Sequence, residues 1–317
     1  MSEFRLIREY FSDIGADRVD VALGVGDDCA LLQVPAGNRL AVSIDTLVSG
    51  VHFSPETDPQ NLGHKALAVG LSDLAAMGAE PAWVTLALTL PVADPIWLRA
   101  FSAGFANLAV EQGISLVGGD MTRGPLSISV QVHGFIPLGQ ELRRRGAHPG
   151  DLVFVSGTLG DAGFALQHLQ RNKPLPASLR LALERPDPRI DLGIALRGLA
   201  SSVIDLSDGL AGDLGHILEA SGVAADLFLQ DLPLSSEVAD YVAATNDWSI
   251  PLTSGDDYEL CFTLPPQRIA DMGRMAKQVD CPLRVVGRIG YGKGLRCFLP
   301  NGRFWKLEQG GFDHFPG

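Results

Sequence analysis

Two aspartates and a serine close to one predicted turn are the first residues that suggest chemistry. The segment 203–209, VIDLSDG, runs from β-forming residues into a glycine, and a helical pattern follows at 210–219. This order predicts a strand, a tight turn and the start of a helix that Ser207 or Asp208 would cap. Carboxylate and hydroxyl oxygens at such a turn suit a hard cation such as Mg²⁺, which often bridges to phosphate. Taken alone, the segment is equally consistent with a cation site and with a structural helix cap followed by no chemistry at the turn.

The same combination of acidic and small residues recurs where other predicted strands end. The segments are 24–28 (GVGDD), 40–46 (LAVSIDT), 114–120 (ISLVGGD) and 251–257 (PLTSGDD). A further aspartate, Asp73, lies inside the apolar helical run 65–77, where an unpaired carboxylate is costly if it is buried. Aspartates at the ends of several strands predict one shared acidic site.

Composition and charge exclude several classes of protein. The chain has 317 residues, 46% of them hydrophobic, which is enough for one very large domain or two ordinary ones. Its net charge of −12 argues against binding to nucleic acid, whose phosphates require Lys and Arg. The four cysteines form no CxxC pair, so we expect reduced core residues: Cys29, Cys261, Cys281 and Cys297.

The chain shows no signal for export or for the membrane. The segment Met1–Tyr10 is charged and lacks the apolar region of a signal peptide. No apolar run approaches the roughly 20 residues that cross a bilayer. We therefore expect a cytoplasmic protein without a membrane partner.

A shift in composition divides the chain. Residues 137–150 are rich in Gly and Pro and contain the triplet Arg143-Arg144-Arg145. We place an N-terminal domain at 1–137, a connecting loop at 138–149 and a C-terminal domain at 150–317. Both halves mix predicted helices and strands, which favours two α/β or α+β domains. Strands are predicted at 39–46, 83–90, 126–136, 151–156, 258–264 and 283–287, and helices at 4–11, 62–77, 95–112, 160–170 and 266–279.

Familiar nucleotide and hydrolase motifs are incomplete. The run Gly24-Val25-Gly26 lacks the third glycine of a dinucleotide fingerprint. The spacing from Gly287 to Lys293 resembles a P-loop, but Gly294 replaces the required Ser or Thr. The sequence contains no GxSxG or HExxH motif. The acidic residues therefore remain the best candidates for the chemistry.

Taken together, these motifs resemble the thiamine-monophosphate kinase family of the aminoimidazole-ribonucleotide-synthetase-like ATP-binding superfamily. The resemblance covers nearly the whole chain and rests on 24–30 (GVGDDCA), 43–48 (SIDTLV), 71–78 (LSDLAAMG), 118–120 (GGD), 204–209 (IDLSDG) and 256–260 (DDYEL). It implies a two-domain α/β (α+β) fold, each domain a mixed sheet covered by helices, with an N-terminal domain that pairs in a homodimer. It also implies ATP as co-substrate, several Mg²⁺ ions, and direct transfer of the γ-phosphate onto the phosphate of thiamine monophosphate. The products would be thiamine diphosphate and ADP, in the last step of thiamine diphosphate biosynthesis.

The resemblance further implies roles for individual residues. The implied metal ligands are Asp28, Ser43, Ile44 through its backbone carbonyl, Asp45, Asp73, Asp120, Asp205 and Asp208. The implied contacts to ATP are Gly119, Asp120, Arg144 and Ser207. The implied contacts to the thiamine moiety are His52, Asp256 and Phe312. Many relatives carry Glu at position 256, and the neighbouring Asp257 is an alternative for that contact.

The implied reaction needs cations more than it needs an acid or a base. Donor and acceptor are both polyanions, and divalent ions that bridge the phosphates offset their repulsion. The acceptor phosphate has a second pKa near 6 and is already a nucleophile at neutral pH, so no general base is expected. Three alternatives remain: another ATP-dependent enzyme of the superfamily, a metal-dependent phosphatase, or a Ca²⁺-binding module. The Ca²⁺-binding module is less favoured, because this sequence contains no Asp-x-Asp-x-Asp-Gly loop of the usual kind.

Overall fold

The computed structural model describes residues 3–307 and divides the chain into two compact units. Unit 1 comprises Met1–Leu74 and Ala79–Gly139, and unit 2 comprises Ala75–Gly78 and Gln140–Gly317. The predicted thiamine contact Phe312 lies outside the described residues. Within 3–307, no helix is long and apolar enough to cross a membrane.

Both units contain helices and strands. The helices are α1 (Glu3–Tyr10), α2 (Pro59–Ala76), α3 (Pro95–Glu111), α4 (Asp161–Gln170), α5 (Ala177–Glu184), α6 (Ile190–Ala195), α7 (Leu210–Ser221), α8 (Ser236–Thr245), α9 (Ser249–Thr253) and α10 (Ile269–Gln278). The strands are β1 (Val21–Leu23), β2 (Leu31–Leu32), β3 (Asn38–Val48), β4 (Glu80–Leu90), β5 (Ser115–Arg123), β6 (Ser127–Pro137), β7 (Leu152–Ser156), β8 (Ser202–Asp205), β9 (Ala224–Phe228), β10 (Leu260–Leu264), β11 (Leu283–Gly290), β12 (Gly294–Phe298) and β13 (Phe304–Trp305). The predicted mixed α/β fold is confirmed.

Unit 1 contains a four-stranded sheet in the order β3-β6-β4-β5. The pairs β3–β6 and β6–β4 are antiparallel, and β4–β5 is parallel, as α3 makes the crossover between those two strands. One face carries buried apolar residues such as Val132 and Leu86, and helix α2 packs here, since a Cβ at Gly70 would lie 3.1 Å from Val132. The other face carries exposed side chains along β3. The side chain of each candidate residue on these strands therefore lies either on the face that α2 covers or on the exposed face.

Unit 2 contains a seven-stranded sheet in the order β13-β12-β9-β11-β7-β10-β8. Its pairs are antiparallel except β12–β9. A hydrophobic core joins strand residues such as Val155 and Ile204 to helix residues such as Leu214. The register pairs Leu260 with Asp205, at the end of β8. The start of β10 therefore lies beside the turn that follows β8.

The structure corrects two predictions about strand ends. We expected Asp45 and Asp120 to close their strands, but β3 continues to Val48 and β5 continues to Arg123. The Gly-Gly pair before Asp120 does not end β5, because the strand needs glycine where β4 passes close by. A Cβ at Gly119 would lie 1.9 Å from the carbonyl oxygen of Leu86. Elements that we did not predict include α5, α6, α8, β9 and β12.

Candidate active site

The first candidate site is an acidic group in unit 1, which we call the β3 acidic group: Ser43, Asp45 and Asp73. Ser43 and Asp45 are two residues apart on β3 and share the face that α2 covers. Asp73 lies on α2, and the hydroxyl of Ser43 donates a hydrogen bond to its Oδ2. Helix α2 lies close to Asp45 here, since a Cβ at Gly70, one helical turn before Asp73, would be 3.5 Å from Asp45 Oδ2. Strand and helix thus bring the three predicted ligands together.

This group carries an uncompensated charge. The Oδ2 atom of Asp45 is buried and has no hydrogen-bond partner in the described part of the chain. Burial first, and the charge of Asp73 second, raise the pKa of Asp45 to about 6. A buried carboxylate oxygen without a donor is expensive, and a second carboxylate beside it adds repulsion. A cation at this position would relieve both costs.

Asp120 lies elsewhere on the same sheet. Across the four strands, Asp120 is in register with Thr46 of β3. Asp45 of β3 is instead in register with Gly119, the residue before Asp120. Since neighbouring rows point to opposite faces, Asp120 lies on the open face and Asp45 on the covered one. The two residues are also on opposite edge strands, three strand spacings or roughly 14 Å apart. Unit 1 therefore does not bring Asp120 and Asp45 together. The side chain of Ile44 also points to the open face, so only its backbone faces a shared site.

Asp28 and His52 lie on loops of unit 1. Asp28 is exposed in the loop between β1 and β2, and its amide donates to Asp27 Oδ1 at 2.8 Å. The backbone amide of Val48 donates to His52 Nδ1 at 3.0 Å. A ring nitrogen that accepts this bond carries no proton, so neutral His52 carries its proton on Nε2. His52 can therefore act as a hydrogen-bond donor to a ligand.

The second acidic group lies in unit 2 on the turn after β8, and we call it the β8 turn: residues 205–209. Asp205 is the last residue of β8 and is buried. The amide of Asp208 donates to Asp213 Oδ2 at 3.1 Å. Burial, followed by the charges of Asp205 and Asp208, raises the pKa of Asp213 to about 7. Asp213 thus holds the turn from the first turn of α7.

The expected cap of α7 is wrong, and Asp213 explains why. We predicted that Ser207 or Asp208 would cap the helix, but the N-cap residue is Gly209 and no side chain bonds there as a cap. The cap role is reversed, because Asp213, inside the helix, accepts a hydrogen bond from the amide of Asp208 in front of it. The sequence gives a weak signal of this in the spacing of the three acids in 205–213.

The segment 255–258 lies against the β8 turn. The amide of Asp256 donates to the carbonyl of Ser207 at 2.9 Å, and the amide of Tyr258 donates to the carbonyl of Leu206 at 2.8 Å. These two bonds hold a predicted substrate contact, Asp256, beside a predicted ATP contact, Ser207. Unit 2 therefore brings together residues that are about 50 positions apart in the sequence.

The two adjacent aspartates of this segment have different partners. Both carboxylate oxygens of Asp257 accept the amide of Gly160 at 3.0 Å, at the start of α4. Burial raises the pKa of Asp257 well above its usual range in spite of these bonds. Asp256 instead accepts the hydroxyl of Tyr258 at 2.9 Å. Asp257 is thus bound to a helix N-terminus, which favours Asp256 for a contact to substrate.

The loop that carries Arg144 is anchored through its backbone. The amide of Val203 in β8 donates to the carbonyl of Arg143 at 2.9 Å. The amides of Gly146 and Ala147 both donate to the hydroxyl of Ser221, at 3.1 and 3.2 Å. The side chain of Arg144 itself is exposed. A fixed loop with an exposed guanidinium suits an Arg that binds phosphate.

These groups are incomplete as metal sites. Within residues 3–307, no three His, Cys, Asp or Glu side chains lie close enough together to hold a metal ion. Mg²⁺ is commonly bound by one or two carboxylates together with substrate phosphates and water. The unpartnered oxygen of Asp45 and the crowded carboxylates around Asp205 fit an ion of this kind.

Both halves of the chain match known family models. Residues 26–136 match the AIR synthase related protein, N-terminal domain, and residues 148–299 match the AIR synthase related protein, C-terminal domain. These regions contain every predicted site residue except Arg144 and Phe312.

Curated and solved relatives match the chain over nearly its full length. It is 46% identical to the thiamine-monophosphate kinase of Escherichia coli K12, over 99% of this chain and 98% of that protein. The crystal structure of thiamine-monophosphate kinase from Stenotrophomonas maltophilia K279a is 46% identical, with a TM-score of 0.85 over 93% of this chain and 94% of that chain. A structure of AaThiL complexed with AMPPCP and TMP is 32% identical, with a TM-score of 0.78 over 92% of each chain.

Proposed function

The chain belongs to the thiamine-monophosphate kinase family, and from this premise we propose how its acidic groups serve the reaction. The protein is an ATP-dependent phosphotransferase that transfers a phosphate group from ATP to thiamine monophosphate. We propose that several Mg²⁺ ions, bound by the acidic groups of the two units, hold the phosphates of both substrates.

The unpartnered oxygen of Asp45 beside Asp73 carries this proposal. If no cation bound here, replacing one of the two carboxylates with a hydrogen-bond donor would make the protein more stable. Bound Mg²⁺ would neutralise the charge between donor and acceptor phosphates, which repel by about 4 kcal/mol per pair of unit charges at ~4 Å and an effective dielectric of ~20. We assign the metal ligands as Asp28, Ser43, the Ile44 carbonyl, Asp45, Asp73, Asp120, Asp205 and Asp208.

The remaining residues bind and orient the substrates. Ser207, Gly119 and Arg144 are assigned to ATP, and the anchored loop gives Arg144 a fixed starting point. His52 and Asp256 are assigned to the thiamine moiety together with Phe312, and His52 would donate through Nε2–H. No residue acts as a general base, because the acceptor phosphate is already ionised at neutral pH.

The open face of unit 1 supports a homodimer. Strand β3 is an edge strand of eleven residues, and its outward side chains Leu40, Val42 and Ile44 are 42%, 49% and 63% exposed. A long edge strand with an exposed apolar face is a liability in a monomer, and a second copy would cover it. Ile44→Glu should shift the protein from dimer to monomer in sedimentation velocity, with Ile96→Glu, equally apolar and 81% exposed on α3, as control. A wild-type monomer at micromolar concentration would contradict this proposal.

Two further expectations stand as proposals. We propose domain limits at 1–137, 138–149 and 150–317, supported by the division of contacts at Gly139 and by the two matched regions. We propose a cytoplasmic location, where ATP is available as co-substrate.

A single assay tests the function. The protein is incubated with ATP, MgCl₂ and thiamine monophosphate, and the products are separated and quantified. Thiamine diphosphate and ADP in equal amounts are expected, and chelation of Mg²⁺ with EDTA should stop their formation. Free phosphate without thiamine diphosphate would point to a phosphatase, and no turnover would point to a binding module.

A further inference from the structure

Two residues of the segment 255–258 have backbone angles that side chains rarely adopt. Asp256 has a φ of +70° and Tyr258 has a φ of +48°, both in the left-handed region. Asp visits this region occasionally, but for a bulky residue such as Tyr it is a marked outlier. Such strain persists only where surrounding contacts enforce it, and it concentrates at ligand sites.

Contacts on both sides enforce this conformation. The amides of Asp256 and Tyr258 are both bonded to carbonyls of the β8 turn. Gly255 allows the close approach, since a Cβ there would lie 2.3 Å from the carbonyl oxygen of Ser207. The ring of Tyr258 is buried, with 5% exposure. The segment is therefore clamped and is not a free loop.

The two acids that follow Asp256, Asp257 and Glu259, have structural partners. Asp257 binds the amide of Gly160, as described above. Glu259 is buried and forms an ion pair with Arg189, whose Nε donates to it at 2.7 Å. Asp256 is held by the hydroxyl of Tyr258 at 2.9 Å. This bond orients the Asp256 carboxylate beside the β8 turn.

We propose that Tyr258 is a positioning residue for substrate recognition: its hydroxyl and its strained backbone fix the Asp256 carboxylate against the thiazolium cation of thiamine monophosphate. This inference rests on the proposed role of Asp256 as a contact to the thiamine moiety. The thiazolium ring carries a permanent positive charge, so a carboxylate at a fixed distance recognises it by charge and not by a hydrogen bond. The short Asp side chain has little freedom of its own, and the Tyr258 bond removes most of what remains.

The sharpest test removes the hydroxyl and keeps the ring. Tyr258→Phe should raise the KM for thiamine monophosphate about five- to tenfold, leave the KM for ATP unchanged and change kcat less than twofold. The matched control is Tyr241→Phe, because Tyr241 donates to Asp247 at 2.7 Å in the same unit but away from the segment. The control should change neither KM. An unchanged KM for thiamine monophosphate in Tyr258→Phe, or an equal rise in both KM values, would overturn the positioning role.

Substitutions at position 256 test the strain and the charge separately. Asn, Gly and Ala at 256 all remove the charge, and each should raise the KM for thiamine monophosphate at least tenfold. Their melting temperatures should rank Gly and Asn above Ala, because Gly and Asn tolerate a positive φ. Equal melting temperatures would show that the backbone is not held left-handed. If the wild-type protein forms no thiamine diphosphate, the proposed function fails, whereas active wild-type protein with an unaffected Asp256→Asn variant refutes only this inference.

Discussion

The β3 acidic group and the β8 turn place carboxylates by opposite means. In unit 1, Asp45 and Asp73 lie on a regular strand and a regular helix. The buried Asp45 carboxylate has no hydrogen-bond donor at Oδ2 and is repelled by Asp73. In unit 2, Asp205 and Asp208 lie on a turn whose backbone is held by Asp213 and by the segment 255–258. One group has secure geometry and uncompensated charge. The other obtains its geometry from hydrogen bonds to a third carboxylate.

The two groups therefore differ in what limits their stability: charge repulsion in unit 1 and, in addition, backbone geometry in unit 2. A cation relieves the repulsion in unit 1 directly, so the stability of that unit should respond to Mg²⁺ and to pH. The turn in unit 2 also carries a charge cost, since burial and the charges of Asp205 and Asp208 raise the pKa of Asp213 to about 7. It depends in addition on donors and acceptors of the backbone, so its disruption should affect function through lost geometry. Substitutions in the two groups should therefore differ in stability even where they agree in activity.

The largest expected effect is the loss of transfer in either group. Asp45→Asn and Asp208→Asn should each lower kcat about 10³-fold or more, because each removes a charged metal ligand. Thiamine diphosphate formation in a discontinuous assay measures this. A folded Asp208→Asn variant with near wild-type activity would contradict its role as a ligand.

The next effect distinguishes the groups by stability. Asp45 has a folded pKa of about 6 against an unfolded value near 3.8, so the folded state binds its proton more tightly. This carboxyl therefore lowers stability increasingly as pH rises from about 4 to about 6, and the full cost remains above that range. Asp45→Asn should stabilise the metal-free protein by about 2–3 kcal/mol at pH 8 and not at pH 4.

Thermal unfolding in EDTA measures this gain. Asp28→Asn is the control, since Asp28 is exposed and should show no gain at either pH. Added MgCl₂ should raise the melting temperature of the wild type more than that of Asp45→Asn. A gain of the same size at both pH values would mean that charge is not the cause.

The smallest effect concerns Asp213, which holds the β8 turn without being assigned as a ligand. Asp213→Asn keeps one acceptor oxygen for the amide of Asp208, so kcat should fall only about tenfold. Asp213→Leu removes this acceptor and should cost a further tenfold or more, with a lower melting temperature. Equal activity of the two variants would show that the bond from Asp208 does not position the turn.

Local sequence predicted the parts of the site that local structure builds. The strand-turn-helix at 203–219 is confirmed, because β-formers, a turn with Gly209 and a helical pattern follow one another directly. The fold class and the family were likewise predictable from motifs spread over the chain.

The features of the site that local sequence does not reveal depend on pairing between distant segments. The face on which Asp120 lies follows from its register with β4, which shifts at Val84 and Thr85, and no local pattern reveals that shift. The reach of Asp213 back to Asp208 and the bond from Gly160 to Asp257 are tertiary contacts of the same kind. The sign of φ at Asp256 follows from its clamp and not from its residue type.

The bond between the amide of Val203 and the carbonyl of Arg143 has a consequence outside catalysis. Strand β8 ends the seven-stranded sheet, and such a margin can template growth by an unrelated polypeptide. The loop that carries Arg143 and Arg144 covers part of this sheet edge through its bond to Val203. The backbone bond that anchors the loop of Arg144 therefore also covers part of a sheet edge that could otherwise pair with another chain.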